Sequence, residues 1–180
     1  LFMIGDPKQA IYKFRGADIF AYISAKQKVL GIYNLKTNYR STQNMVKGIN
    51  SVFTHHDAPF IYDKDIPFIP VDANDNAAKL ILNGKEEAPL SWHFKNASLL
   101  KTKPEVADIF AQGCAQQICE LLNMAQEGKA ILQKNEQSTA VRAKDIAVLV
   151  RSAHQAKVIK EQLNDRGVGS VYVGRERIFQ

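Results

Sequence analysis

Long apolar runs are missing from this sequence, and cysteine is scarce. No uninterrupted apolar stretch in the 180 residues reaches the roughly 18 needed to cross a bilayer, so no membrane-spanning helix is expected. The two cysteines, Cys114 and Cys119, stand five apart on a predicted helix. That spacing separates them around the helix, which argues against a local disulfide or a metal pair and for reduced thiols in a cytoplasmic protein. The sequon Asn96-Ala97-Ser98 then carries no meaning. A metal site is not expected either, because the adjacent His55 and His56 point apart and His93 and His154 are isolated. Also absent are internal repeats, low-complexity tracts, a signal peptide and a G-x-x-x-x-G-K-[ST] phosphate loop. Without that loop, this chain by itself is expected to bind nucleoside triphosphate poorly. It opens on Leu1 in what reads as mid-strand, so it is expected to be a piece of a longer polypeptide.

What is present suits a folded domain of ordinary size: 46% hydrophobic and 23% charged residues. The charge is uneven. Residues 1–50 hold 8 Lys/Arg against 2 Asp/Glu, whereas residues 51–180 balance at 16 against 16, so the whole excess of +6 falls in the first segment. Such a basic segment is either a solvated face or a polyanion site.

Apolar runs and capping signals alternate along the chain. "LFMI", "GIYNL", "LSWHF", "IAVLV" and "VGSVYVG" read as strands. Asp18 is placed to cap a helix carrying Ile19, Phe20 and Ile23. Ser41 is placed to cap a second with Met45, Val46, Ile49, Val52 and Phe53. Glu105 to Glu127 is the longest predicted helix, with Val106, Ile109, Phe110, Cys114, Ile118, Leu121, Leu122 and Ala125 on one stripe. Ser152 and Gln155 make a capping box for a last helix to Arg166, ended by Gly167. Residues 55–79 read as an extended, partly mobile connection, and "AILQKNEQSTAVRAK" as loop. The predicted class is α/β with a mainly parallel sheet flanked by helices.

In such sheets, ligands bind beyond the carboxyl ends of the strands. The candidate residues fall there. Gln9 carries an amide that can donate to a terminal phosphate or orient an attacking water. In an extended stretch, Tyr12 and Phe14 share one face and Lys13 and Arg15 the other, giving rings for bases and cations for phosphates. Tyr39 and Arg40 precede a helix, where a guanidinium can clamp a phosphoryl group bidentately. Arg151 follows the strand "IAVLV". Each has a plainer reading, as a hydrated loop residue or a core ring.

Together these stretches are identifiable. "GDPKQAIYKFRGAD" resembles motif III of the superfamily 1A DNA helicases, the UvrD/Rep/PcrA group, and "LKTNYRST" resembles their motif IV. "DIAVLVRS" with "VYVGRERIF" is similar to the stretch of their second RecA-like motor domain ahead of its 2B insertion. Pro7-Lys8, Ala10 and Phe14 in place of tryptophan are nearest to a branch whose helicase carries a downstream nuclease domain and assembles with gamma and alpha subunits.

The resemblance implies a RecA-like fold, with residues 1–31 as the last strand and helix of domain 1A and 32–180 as the first half of domain 2A. It implies ATP and Mg2+ in the parent protein, single-stranded and duplex DNA as partners, and a bacterial cytoplasmic location. It assigns Gln9 and Arg40 to catalysis, Arg40 as the arginine finger, with Tyr39 stacking near the adenine. Tyr12, Phe14, Arg15 and Arg151 would bind DNA, Arg15 also linking the two sites. Where relatives carry an asparagine near Arg151, this chain has Ala153. The implied function is an ATP-dependent helicase/exonuclease subunit of double-strand break repair and recombination, of which this piece alone is inactive. The competing readings are a non-catalytic DNA- or subunit-binding scaffold and a stand-alone repair helicase.

Overall fold

The computed structural model describes residues 3–9, 18–96 and 102–173. Tyr12, Phe14 and Arg15, and most of "VGRERIF", lie outside the described residues. Contacts divide the chain into two units, residues 1–77 and 78–180, each taken in turn.

The first unit opens with a short 3-10 turn over Pro7–Gln9, then helix α1, Ile19–Lys26. Asp18 caps α1 as expected, its carboxylate accepting from the Phe20 amide at 2.9 Å. Strand β1 is only Thr37–Asn38, so the predicted strand "GIYNL" stops short of any pairing. Helix α2, Gln43–Thr54, is capped by Thr42 and not by the expected Ser41. The reason is local: the Ser41 amide donates to Asn38 Oδ1 in the preceding turn, which leaves Thr42 as the extended residue facing the helix. β2, Asp72–Ala73, returns parallel to β1.

Residues 55–71 are not the loose connection expected. Phe60 and Phe68 pack with Phe53 of α2, the Phe53 and Phe68 rings stacked at 5.0 Å, and Ile66 is buried. Asn50 of α2 hydrogen-bonds the Val71 backbone in both directions, its amide donating to the carbonyl at 2.8 Å and its oxygen accepting from N–H at 3.4 Å. A side-chain amide thus imitates one rung of a sheet and seats the return strand.

In the second unit, α3, Lys103–Gln126, lies between a sheet and α4, Ala153–Asn164. The sheet runs β4-β3-β5-β6, with β3 Lys79–Leu82, β4 Lys85–Glu86, β5 Ala130–Lys134 and β6 Gln137–Ala140. Every pairing in it is antiparallel, and among the described residues the one parallel pair is β1 with β2, so the mainly parallel sheet expected is not seen there. The stretch expected to be loop is the β5–β6 hairpin, turning at Asn135 with φ 53°. Asn83-Gly84, at φ 50° and 76°, turns β3 into β4, the two-residue loop that left-handed residues favour. Hairpins close locally, whereas a parallel ladder needs a partner delivered by a crossover. Among the described residues, the runs 90–94, 146–150 and 168–173 accordingly pair with no strand.

The predicted α3 stripe is the core. Ala115 and Ile118 meet Leu163 of α4, while Ala125 meets Ala130 and Val141 of the hairpin. Ile146 touches both clusters. Two short residues on α3, Ala111 and Ala115, are buried, and periodicity of bulky residues did not reveal them. Ser152 caps α4, but the Gln155 side chain accepts from the Arg151 amide, so the capping box closes one residue early. The helix ends two residues before Arg166, through Val168 N–H to Leu163 and a left-handed Gly167.

Candidate functional site

The candidate residues described in the first unit lie on two turns. In the first, Asp6 folds back over the 3-10 turn. One carboxylate oxygen accepts from the Lys8 amide at 3.0 Å, and the other from Gln9 Nε2 at 3.1 Å. The backbone closes as well, Gln9 N–H to the Asp6 carbonyl at 3.0 Å. Gln9 is exposed, and its Oε1 has no hydrogen-bond partner among the described residues. The Lys8 ammonium stands over the Phe60 ring at 5.9 Å.

In the second turn, Asn38 Oδ1 accepts from the amides of Arg40, at 2.8 Å, and Ser41, at 3.0 Å. This side-chain turn holds the backbone that carries Tyr39 and Arg40 between β1 and the start of α2. From the other flank, Asp75 accepts from the Gln43 amide at 3.1 Å. Both candidate side chains are exposed, and the Arg40 guanidinium makes no ion pair among the described residues. An unpaired guanidinium on a rigid turn is suited to an external phosphate. Asn38 and Asp75 escaped the reading of motifs. The available signal was an asparagine two residues before an arginine, which is where a side-chain turn forms.

A clasp joins the first helix to the loop after α2. Lys26 Nζ donates to the Asp65 carbonyl, and Phe20 meets Tyr62 edge-on at 5.7 Å. With Lys8 over Phe60, three contacts tie Lys8, Phe20 and Lys26 to residues 60–65.

Arg151 lies in the second unit, exposed at the N-terminal end of α4. Both cysteines are free thiols; burial pushes the Cys114 thiol above its ordinary pKa. Among the described residues, no group of three His, Cys, Asp or Glu side chains could hold a metal, and no helix is long and apolar enough to cross a membrane.

The family model for the UvrD-like helicase C-terminal domain matches residues 33–180, and that for the UvrD/REP helicase N-terminal domain matches residues 1–30. The chain belongs to the UvrD-like helicase family. Within it, the chain is similar to the RecBCD enzyme subunit RecB of several bacteria. Identity is 40% over 171 residues with the Haemophilus influenzae protein, covering 95% of this chain and 14% of that one. It is 38% over 184 residues with that of Escherichia coli K12, covering 100% and 15%, and 29% over 181 residues with that of Mycobacterium tuberculosis H37Rv, covering 99% and 16%. The chain thus spans about one seventh of the length of these relatives.

Proposed function

We propose that the chain is the part of a RecB-type subunit in which ATP hydrolysis is coupled to movement along single-stranded DNA. The carrying observation is that the two family matches meet between the Gln9 turn and the Arg40 turn, so the chain brackets the junction of two helicase domains. In this reading, residues 1–31 close domain 1A and residues 32–180 begin domain 2A, ending ahead of the 2B insertion. The parent protein is an ATP-dependent helicase/exonuclease of double-strand break repair and recombination. It works in the bacterial cytoplasm on single-stranded and duplex DNA with RecC and RecD, the gamma and alpha subunits. A RecA-like parallel sheet belongs to that reading too, with the unpaired runs 146–150 and 168–173 as its strands.

The residues present fit one side of a nucleotide site. Among the described residues, Gln9 has an amide oxygen without a partner, an acceptor for an attacking water; Arg40 has a guanidinium without an ion pair for a terminal phosphate, and Tyr39 an exposed ring for the base. The phosphate loop and the acidic pair for Mg2+ are not among these 180 residues. Bound Mg2+ would offset charge on the phosphates, while Arg40 neutralises charge developing on the transferred group. Tyr12, Phe14, Arg15 and Arg151 take the DNA, with the segment from Gln9 to Arg15 linking phosphate to bases.

The test is made in the complete reading frame. Gln9→Ala and Arg40→Ala are each expected to lower DNA-stimulated ATP hydrolysis by ~10³-fold or more for the arginine, with DNA binding by fluorescence anisotropy retained. Normal turnover in either would sink the role given to that residue.

A further inference from the structure

Resting on the proposed role of Gln9, we infer that Asp6 is a positioning residue that fixes which end of the Gln9 amide faces the reaction. The two ends of a side-chain amide differ chemically: the nitrogen donates and the oxygen accepts. A carboxylate only accepts, so the group at 3.1 Å from Asp6 Oδ2 has to be the nitrogen. The orientation of this amide is therefore dictated by chemistry. Among the described residues it leaves Oε1 as the open acceptor, the end that takes a hydrogen bond from a water and turns its lone pair toward phosphorus. In that step the water oxygen bonds to the terminal phosphorus. The bond from phosphorus to the bridging oxygen breaks with its electron pair kept by the diphosphate, and the water proton passes to the released phosphate.

Asp6 does this without relying on the rest of the fold. Its other oxygen caps the Lys8 amide at 3.0 Å, and the Gln9 amide bonds its carbonyl, so carboxylate and turn share one rigid frame. Lys8, next to Gln9 in the same turn, stands over Phe60. A free glutamine would sample both amide orientations, and only one presents the acceptor.

Asp6→Asn separates orientation from folding. Its oxygen can still cap the Lys8 amide, while its NH2 meets Gln9 and draws the glutamine oxygen inward, reversing the amide. In the complete protein, Asp6→Asn is expected to lower the kcat of DNA-stimulated ATP hydrolysis about 10- to 100-fold, the scale of one hydrogen bond to a charged group. KM for ATP should stay within about twofold. On a Gln9→Ala background the same change should alter residual phosphate release less than about twofold, because the partner is gone. A second readout needs no turnover: in the 180-residue chain labelled with 15N-glutamine, one Gln9 side-chain amide proton should be shifted downfield and lose that shift in Asp6→Ala. Wild-type kcat in Asp6→Asn, losses that multiply on the Gln9→Ala background, or an unchanged amide proton would each overturn the inference. If Gln9→Ala is inactive while Asp6→Asn is normal, the inference alone falls. If Gln9→Ala turns over normally, the role proposed for Gln9 falls first.

Discussion

Three side chains no larger than asparagine decide how the two candidate residues are held. Asp6 ties Gln9, Asn38 builds the turn under Arg40, and Asp75 caps the first free amide of α2. Asn38→Ala removes the acceptor for two backbone amides. It is expected to cost about 1 kcal/mol by urea denaturation and to reduce ATP hydrolysis in the complete protein with Arg40 intact. Asn38→Asp keeps the acceptor and should restore both; failure of the aspartate to do so would mean the turn is held by something else. Cys114 sets a different test. Burial raises its pKa, so the folded chain keeps the thiol proton to higher pH than the unfolded chain does. Its contribution is fully present below the unfolded value. It is lost as pH rises through the window between the two values, where only the unfolded chain is ionised. Urea midpoints measured from neutral to alkaline pH should fall, and Cys114→Ala should flatten that decline. Gln9, Tyr39 and Arg40 were singled out in the sequence by the motifs they sit in. Their supports were not, because asparagine and aspartate look alike in any turn.

At the scale of elements, helices were legible and strands were not. Helix ends rest on chemistry local to a few residues, and Asp18, Ser152 and Gly167 act where the sequence placed them. Sheet pairing rests on partners far away in sequence. The apolar run 146–150 reads as a strand but finds no ladder, while the polar stretch 130–140 pairs because Asn135 turns it back on itself. The Asn83-Gly84 pair was the overlooked signal for β3–β4. Gly84→Ala there is expected to destabilise by about 1 kcal/mol, because φ 76° suits a glycine and strains alanine. Leu163→Ala opens the α3–α4 contact, where Leu163 is 5% exposed, and should cost about 2–5 kcal/mol. Thermal melts of both variants would check the order: a larger loss at Gly84 than at Leu163 would contradict the core assignment.

For the whole molecule, apolar surface is the main consequence of strands left unpaired. Leu149 is 96% exposed and Val173 93%, both in the second unit, and Tyr33 is 96% exposed in the first. Extended apolar segments with free backbone groups are templates for pairing with another chain. The isolated 180-residue chain is expected to scatter light as a species above its 20.2 kDa mass. Leu149→Lys combined with Val173→Lys should reduce that association, and a monomer at micromolar concentration without them would refute it. Charge, cysteine usage, helix caps and the motif turns were determined by the sequence itself, since each depends on residues within a few positions of one another. Which runs pair as strands, what seats residues 55–71, and which end of the Gln9 amide is free were decided only in three dimensions. A ladder, an aromatic cluster and a side-chain hydrogen bond each need the partner's position as well as its identity.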